Sequence, residues 1–344
     1  MPSDLATTLL YRKALGCLLG GLIGDAMGTP TEGKDYREIE AQLGWVDDFA
    51  TDGTDDTVMK NLLAEALVRT GGHATLDDWA QVWLDRWDAI FGPKQAKFFI
   101  SVLHTAHKLK RYCIPRMAAM GNMPSSSSAM CISPVGIVNA ANPRAAALQA
   151  YNLAALIHTH DVAFCQDGAA CMAAAVAAAF TPEATVNTVL DAATRYIEPQ
   201  SGREMLDAIA DVMALAHAAG DYVAFRAQLY ENAERFFYPL ICDSRETIPL
   251  TLAIVMLAEG DAQRSITYGA NLGRDADTIA SMAGAIAGAL QGIQGIPAEW
   301  VEKARQLASE DQEQLALDLA RAAIARQLDQ YAAAQRLEML YKAT

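Results

Sequence analysis

The chain has 344 residues, of which 52% are hydrophobic, and a formal net charge of −14. This length and hydrophobic content are sufficient for the core of one large domain. The negative charge opposes binding to a nucleic-acid backbone or to an anionic membrane surface, and no basic run reverses it. We therefore expect neither a nucleic-acid polymer nor a membrane as a partner.

Cysteine use indicates a reducing compartment. The six cysteines are scattered along the chain, without a C-x-x-C pair or the spacing of a zinc site. Several lie in apolar stretches, where cysteine commonly serves as a small core residue. The apolar segment from Ala14 to Gly24 is too short to span a bilayer and runs into a patterned helix, so we do not interpret it as a signal peptide. These features predict a cytoplasmic protein.

Helical periodicity dominates the chain. After residue 57, apolar residues recur at spacings of three and four, and Gly71 and Gly72 mark the end of this helix. Further helices are predicted at approximately 76–91, 95–111, 144–158, 164–180, 185–196, 203–218, 222–235, 247–258, 262–271, 277–291 and 298–336. Pro, Gly and Ser mark 112–136 as the one long irregular stretch, and no alternating strand pattern interrupts the helices. The sequence therefore predicts an all-α fold.

The C-terminal segment alternates charged and apolar residues with a helical period. It could cover the core or form an oligomer contact. We expect residues 1–344 to form a single domain, in which 298–344 is a C-terminal helical extension.

Glycines recur at every fourth residue in two of the predicted helices. In chain order they are Gly16, Gly20, Gly24 and Gly28, then Gly284, Gly288 and Gly292. Glycine inside a helix costs about 1 kcal/mol relative to alanine, so such a stripe indicates a close approach of backbones. We expect both helices to pack closely against neighbours in the centre of the fold. Gly28 and Gly292 could instead mark helix ends.

Two acidic clusters lie where glycine-bearing loops run into alanine-rich helices. They are Thr54-Asp55-Asp56-Thr57 and, more than two hundred residues later, Asp275-Ala276-Asp277-Thr278. Either cluster alone could serve only to cap a helix. Capping does not require the same chemistry twice, however, and adjacent carboxylates repel one another unless a cation lies between them. Because carboxylate and hydroxyl oxygens are the ligands of hard divalent cations, the pair favours a two-metal site for Mg²⁺ or Mn²⁺.

In order and spacing, these motifs resemble those of the ADP-ribosylglycohydrolases. The matching segments are Gly24-Asp25-Ala26-Met27-Gly28, Glu32, the first acidic cluster, and Asn271 to Ala280 with Gly284 and Gly288. The resemblance extends from about residue 11 to residue 305. It implies an all-α fold of many helices with a dinuclear magnesium or manganese centre in a cleft.

The resemblance also implies roles for individual residues. The implied metal ligands are Thr54, Asp55, Asp56, Asp275, Asp277 and Thr278. Glu32 matches an acidic residue that gates the cleft or activates water in some members, although it could also be a solvated loop carboxylate. Glu32, Asp55 and Asp277 are the catalytic candidates, because nearby carboxylates would stabilise an oxocarbenium-like transition state.

The central part of the chain departs from the family pattern. Many members have Gly-Asn-Gly followed by Met-Arg there, whereas this chain has serines from Ser125 to Ser128 and Cys131 at the arginine position. Glycines let a backbone approach a phosphate closely, so their replacement weakens the expectation of a diphosphate cradle. Ser127 and Ser128 are candidates for a ribose or phosphate contact, although a serine run can also be a flexible loop.

A histidine segment follows between Ile157 and Asp161. His158 matches a single histidine of the family, and a histidine and a carboxylate at this spacing could line the cleft as acid, base or substrate contact. His158 and Asp161 are therefore further substrate-binding candidates. The alternative is a helix cap formed by Asp161, with the histidines on the surface.

The sequence thus predicts a hydrolase with two Mg²⁺ or Mn²⁺ ions that cleaves the glycosidic bond of an ADP-ribosyl or related ribosyl group. Its substrate would be an ADP-ribosylated protein or a small ribosyl compound. The missing central motif favours a nucleoside or small N-riboside hydrolase as the alternative enzyme. The same motifs are also compatible with a non-catalytic module that binds ADP-ribose or a related nucleotide, and with a metal phosphatase that uses the same ligand set.

Overall fold

The computed structural model describes residues 4–342, which form nineteen α-helices and no β-strand. The helices are α1 (Leu9–Gly28), α2 (Tyr36–Gln42), α3 (Asp55–Arg69), α4 (Leu76–Asp85), α5 (Trp87–Phe91), α6 (Ile100–Lys110), α7 (Pro115–Ala118), α8 (Ser133–Val138), α9 (Pro143–Ala154), α10 (Phe164–Ala179), α11 (Val186–Arg195), α12 (Arg203–Ala219), α13 (Tyr222–Glu231), α14 (Ala233–Phe236), α15 (Ser244–Leu257), α16 (Ala262–Ala270), α17 (Ala276–Gln291), α18 (Ala298–Leu307) and α19 (Gln312–Lys342). Short 3₁₀ turns lie at Leu5–Thr7, Thr29–Thr31, Gln95–Lys97, His160–Val162 and Ile293–Gly295. The all-α prediction is confirmed.

Some predicted helices are divided in the structure. The helix predicted at 298–336 separates into α18 and α19, because Ala308 adopts an extended backbone and Asp311 begins a new helix. The Asp311 carboxylate accepts hydrogen bonds from two backbone N–H groups of the next turn, both at 3.0 Å. The helix predicted at 95–111 likewise starts only at Ile100, because the backbone at Phe98 is extended.

Helix α2 lies outside the predicted helices. Asp35 accepts a hydrogen bond from the backbone N–H of Arg37 at 2.8 Å, and Glu38 accepts one from the backbone N–H of Asp35 at 3.0 Å. This reciprocal pair is a capping box, which starts a helix even where the apolar pattern is weak. The prediction of irregular structure over 112–136 is wrong for α7 and for the start of α8, each of which has a proline in its first turn.

Helices α1 and α17 cross in the centre of the fold through their glycine stripes. A Cβ at Gly20 would lie 2.2 Å from the carbonyl oxygen of Gly284, and one at Gly24 would lie 2.2 Å from that of Ala280. No side chain larger than that of glycine can occupy such a position without moving a backbone. The predicted close packing is confirmed, and the two helices pack against each other.

This crossing fixes both ends of α1. A Cβ at Gly28 would lie 2.4 Å from Cα of Asp277, so the end of α1 meets the first turn of α17. At the opposite end, the buried Lys13 ammonium donates hydrogen bonds of 2.6, 3.2 and 2.8 Å to the carbonyl oxygens of Ala179, Ala289 and Leu290. These carbonyls end α10 and α17, where the helix dipole favours a cation. The acidic start of α17 is therefore held beside the end of α1.

Helix α19 packs on the core with its first half and extends into solvent with its second. Lys60 of α3 donates a hydrogen bond to Gln312 at 3.2 Å, and Arg326 donates one to the carbonyl oxygen of Gly72 at 2.7 Å. The exposed apolar side chains beyond this point are Leu328, Tyr331, Leu337, Met339, Leu340 and Tyr341. None of the helices described between residues 4 and 342 has the length and hydropathy needed to cross a membrane.

Replacing Gly20 by alanine is expected to lower the free energy of unfolding by about 3 kcal/mol, because its Cβ would press against the Gly284 carbonyl. Gly21 is a matched control, since the nearest atoms to a Cβ there lie at an ordinary contact distance of 3.6 Å. Gly21→Ala should be neutral or stabilise the fold by up to about 1 kcal/mol. Urea unfolding followed by circular dichroism measures both effects. Equal effects of the two substitutions would contradict the close crossing.

Candidate metal centre

Asp25, near the end of α1, positions the start of α3. Its side chain is fully buried, and its carboxylate accepts hydrogen bonds from Thr54 and Thr57. The donors are the backbone N–H and hydroxyl of Thr54, at 2.9 and 2.8 Å, and those of Thr57, at 3.0 and 2.6 Å. Burial raises the pKa of Asp25, whereas these donors oppose the shift by favouring its ionised form. The first turn of α3, which contains Asp55 and Asp56, is thereby held beside α1.

The loop before α17 positions the second acidic cluster. Arg274 has a φ of 60°, in the left-handed region, and leads into Asp275, the N-cap of α17. The Arg274 guanidinium donates to the two carboxylate oxygens of Glu246 in α15, at 2.7 and 2.8 Å. Its backbone N–H donates to the carbonyl oxygen of Lys34 at 3.0 Å. These contacts tie the loop both to α15 and to the turn that follows Glu32.

Carboxylates from separate elements converge in two groups that share Asp277. One oxygen from each of Asp25, Asp56 and Asp277 lies within 4.8 Å of the other two, and we call these residues the inner group. One oxygen from each of Glu32, Asp275 and Asp277 likewise lies within 4.8 Å of the other two, and we call these residues the outer group. The structure thus brings the two acidic sequence clusters together and adds carboxylates from the end of α1 and from the turn after it.

The remaining predicted ligands surround these groups. Asp55 lies beside Asp56 and lines the cleft described below. The Thr278 hydroxyl donates to Oδ2 of Asp56 at 3.3 Å, and the Thr54 hydroxyl donates to Oδ1 of Asp25 at 2.8 Å. Each hydroxyl oxygen keeps lone pairs that could face a cation. All six predicted ligands therefore lie in one region of the fold.

The chemistry of these carboxylates suits a bound divalent cation. Oδ1 of Asp56 is buried and has no hydrogen-bond donor among the residues that the structure describes. Burial, with a smaller effect of neighbouring carboxylates, raises the pKa of Asp55 to about 7 and that of Asp275 to about 8. The same causes raise the pKa values of Asp56 and Asp277 well above the usual range of an aspartate side chain. A hard cation would replace the protons that these carboxylates otherwise retain, so the residues fit a Mg²⁺ or Mn²⁺ site.

The carboxylates open into a cleft of about 450 Å³. Its polar lining includes Glu32, Asp55, Asp56, Asp275, Asp277 and Thr278. Its apolar lining comprises Ala96, Phe98, Phe99, Ile100, Met130, Pro239, Leu240 and Ile241. Among the described residues that line it, Lys97 alone carries a positive charge, and its ammonium lies 2.6 Å from Oε2 of Glu32. The cleft therefore combines an acidic centre, an apolar surface and one lysine.

The serine loop contributes two residues to the cleft. Ser126 and Ser127 both line it, and the Ser126 hydroxyl donates to Oδ2 of Asp275 at 3.2 Å. The backbone N–H of Ser126 donates to the carbonyl oxygen of Cys242, on the facing segment, at 2.7 Å. These bonds hold the loop against the outer group.

The structure brings Ser127, but not Ser128, His158 or Asp161, to the cleft lining. His158 is completely buried, and its ring nitrogens form hydrogen bonds of 3.0 Å with Ser125 and 2.8 Å with Ser128. Burial lowers the pKa of His158 to about 3, so the ring stays neutral. Its hydrogen bonds stabilise the serine loop on the side away from the cleft. Asp161 lies on the 3₁₀ turn at 160–162 with its side chain 75% exposed.

Three residues of the site are not among the site residues predicted from the sequence: Asp25, Ser126 and Lys97. Asp25 belongs to the motif at the end of the first helix, but its place among the ligands follows from contacts with α3 and α17. Ser126 belongs to the serine run, whose spacing does not show which hydroxyls face the cleft. No sequence motif marks Lys97, because its partner Glu32 lies 65 positions earlier in the chain.

Comparison with known proteins agrees with the family resemblance. The ADP-ribosylglycohydrolase family model matches residues 6–329. The chain is 28% identical over 313 residues to the uncharacterised protein YegU of Escherichia coli K12, covering 83% of this chain and 89% of that protein. It is 24% identical over 329 residues to ADP-ribosylhydrolase ARH3 of Homo sapiens, covering 83% and 87% of the two chains. A solved structure, described as an ADP-ribosylglycohydrolase-related protein complex, matches with a TM-score of 0.66 and 19% identity over 91% of this chain and 99% of that chain.

The family match includes both acidic clusters, the glycine stripes and the turn that contains Glu32. The similarity to the solved structure covers 91% of this chain and concerns the helical fold. The chain therefore belongs to the ADP-ribosylglycohydrolase family.

Proposed function

We propose that this protein is a metal-dependent hydrolase that cleaves the glycosidic bond of an ADP-ribosyl or related ribosyl group. The observation that carries the proposal is the convergence of the inner and outer groups at one cleft. Membership of the ADP-ribosylglycohydrolase family supports a hydrolase that acts on glycosyl bonds. The relative ARH3, whose name describes an ADP-ribosylhydrolase, supports the choice of substrate class.

The proposed cofactors are two Mg²⁺ or Mn²⁺ ions. Their ligands would be Thr54, Asp55, Asp56, Asp275, Asp277 and Thr278. The buried Oδ1 of Asp56, which lacks a donor among the described residues, supports this assignment. When bound, the ions would supply Lewis-acid chemistry that orients ribose hydroxyls and makes a water molecule more acidic.

The protein's own carboxylates would have two tasks in the reaction. Hydrolysis breaks the bond between the ribose anomeric carbon and the acceptor, adds the oxygen of water to that carbon, and transfers a proton to the acceptor. The Glu32 side chain is 32% exposed at the cleft, so it can accept the proton of the attacking water. Asp55 and Asp277 would stabilise the positive charge that develops on the ribose ring in the transition state.

The rest of the cleft would hold the substrate next to these carboxylates. Phe98 and Phe99 contribute aromatic surface that can pack against a base or another flat group. Ser126 and Ser127 place hydroxyls where they can contact ribose or phosphate oxygens. The substrate is proposed to be an ADP-ribosylated protein or a small ribosyl compound. Ser128 and His158 would influence it only through the loop that they support.

We also propose that residues 1–344 act as one domain in the cytoplasm. The six cysteines are all free thiols, as is usual in a reducing compartment. The hydrogen bond between Gln312 and Lys60 supports the inclusion of the C-terminal helices in this domain. The exposed apolar second half of α19 is the proposed surface for an oligomer contact.

Mass-spectrometric product analysis tests the proposed reaction. The substrates would be ADP-ribosyl-arginine, ADP-ribosyl-serine, O-acetyl-ADP-ribose and nucleosides, each with Mg²⁺, with Mn²⁺ or with a chelator. We expect release of ADP-ribose that requires the metal. The serines at the position of the family's glycines favour hydrolysis of small ribosides as a second candidate, which release of free ribose from nucleosides alone would establish. Binding of ADP-ribose without cleavage of any substrate would contradict the hydrolase proposal.

Asp56→Asn and Asp277→Asn are each expected to lower kcat/KM by at least about 100-fold, because an amide cannot supply a charged oxygen to a cation. Asp77→Asn is the matched control, since Asp77 also lies in the first turn of a helix but is exposed. It should retain wild-type kcat/KM within about twofold. Circular dichroism would verify that all three variants fold. Full activity in Asp56→Asn would exclude the inner group from the reaction.

The raised pKa values of Asp55, about 7, and Asp275, about 8, predict a pH-dependent stability. Without metal, the folded protein retains protons that the unfolded chain releases above about pH 4, so stability should fall as pH rises from about 4 to about 8. Bound metal displaces these protons, so the rise in Tm on adding Mn²⁺ should be larger at high pH. Calorimetry at about pH 5.5 and about pH 8 measures this difference. An equal rise in Tm at both pH values would show that the carboxylates do not exchange protons for metal.

A further inference from the structure

The contact between Lys97 and Glu32 places a cation of the protein itself at the outer group. The Lys97 ammonium lies 2.6 Å from Oε2 of Glu32, with side chains 41% and 32% exposed. Lys97 ends the 3₁₀ turn at 95–97, and Glu32 directly follows the one at 29–31. The pair therefore joins two short turns that come from separate parts of the chain.

Glu32 has two competing electrostatic partners. Its carboxylate approaches Asp275 and Asp277 within 4.8 Å, and repulsion in this arrangement is reduced by a cation. The Lys97 ammonium serves as that cation in the structure. The Lys97 ammonium occupies Oε2 of Glu32, so a divalent cation that used this oxygen in the outer group would have to displace the ammonium. Lys97 and a divalent cation therefore compete for Glu32.

Among residues 4–342, no lysine forms an ion pair with Asp25 or Asp56 of the inner group, in contrast to the pairing of Lys97 with Glu32. Lys60 is buried, and its ammonium donates to the carbonyl oxygen of Leu18 at 3.0 Å and to Gln312 at 3.2 Å. These bonds engage the Lys60 ammonium, and Oδ1 of Asp56 has no donor among the described residues. The two groups consequently differ in how readily they can accept a cation.

We propose that Lys97 is a positioning residue that makes the two cation sites unequal. The inner group binds a divalent cation first, and the outer group binds one only when Glu32 exchanges the Lys97 ammonium for that cation. Lys97 thereby determines whether the Glu32 carboxylate binds the divalent cation or stays paired with the Lys97 ammonium. This inference rests on the proposed function, since it assumes that both groups bind metal, and it adds Asp25 and Glu32 to the ligands proposed there.

Mn²⁺ titration followed by calorimetry and electron paramagnetic resonance tests the inference without any substrate. In Lys97→Gln, the weaker of the two binding steps should become about fivefold tighter, which corresponds to ~1 kcal/mol for a partly exposed ion pair. The tighter step should not change. Lys97→Arg keeps the positive charge, so both binding steps should match those of the wild type.

Lys94 provides the matched control. It lies one turn earlier in the same segment and pairs with Asp52 at 2.8 Å, and neither residue lines the cleft. Lys94→Gln removes the same charge and should leave both binding steps as in the wild type. An equal tightening of both steps in Lys97→Gln, or the same tightening in Lys94→Gln, would reveal a general charge effect and overturn the proposal.

A double-mutant cycle with Glu32→Gln completes the test. Because Lys97 is proposed to act through Glu32, Lys97→Gln should have no effect on Mn²⁺ binding in the Glu32→Gln background. A persistent effect there would overturn the proposal. Failure of the wild-type protein to bind Mn²⁺ would instead refute the metal dependence in the proposed function. Tight Mn²⁺ binding that is insensitive to Lys97 would refute this inference alone.

Discussion

The crossing of α1 and α17 is the constraint on which the candidate metal centre depends. Their backbones touch at Gly20 and Gly284, with no space for a Cβ between them. This contact sets the end of α1 against the start of α17, so Asp25 and Asp277 reach the same point from different helices. A larger side chain at the crossing would push the two helices apart. It would also move Asp25 of α1 away from Asp277 of α17. The energetic cost of glycine inside both helices is thereby linked to the geometry of the site.

Burying several carboxylates close together is energetically unfavourable unless each one has a hydrogen-bond donor or a cation as its partner. The Asp25 carboxylate accepts hydrogen bonds from the N–H and hydroxyl groups of Thr54 and Thr57, and these bonds position the first turn of α3 at the site. Lys60 adds a buried positive charge behind the cluster, although burial lowers its pKa to about 8. Asp56 keeps one oxygen without a donor among the described residues. Protein groups therefore balance only part of the negative charge of these carboxylates. The remaining charge lies at the cleft, where a bound cation could neutralise it.

Hydrogen bonds of its own side chains hold the serine loop in place. Its hydroxyl groups bond to a neutral, buried His158 and to Asp275, and its backbone bonds to Cys242. The side chains thus hold the loop against the carboxylates, where glycines would instead let the backbone approach a ligand. The serine hydroxyls therefore form part of the cleft surface beside the carboxylates.

Much of the fold and of the site was determined by local or periodic signals in the sequence. Apolar periodicity predicted the all-α fold, glycine spacing predicted the close packing, and the two acidic clusters identified most of the converging carboxylates. The tertiary structure alone decided that Asp25 joins them, that His158 faces inward, and that Lys97 meets Glu32. These outcomes depend on contacts between residues far apart in the chain, whose directions are set by helix crossings and loop conformations rather than by spacing.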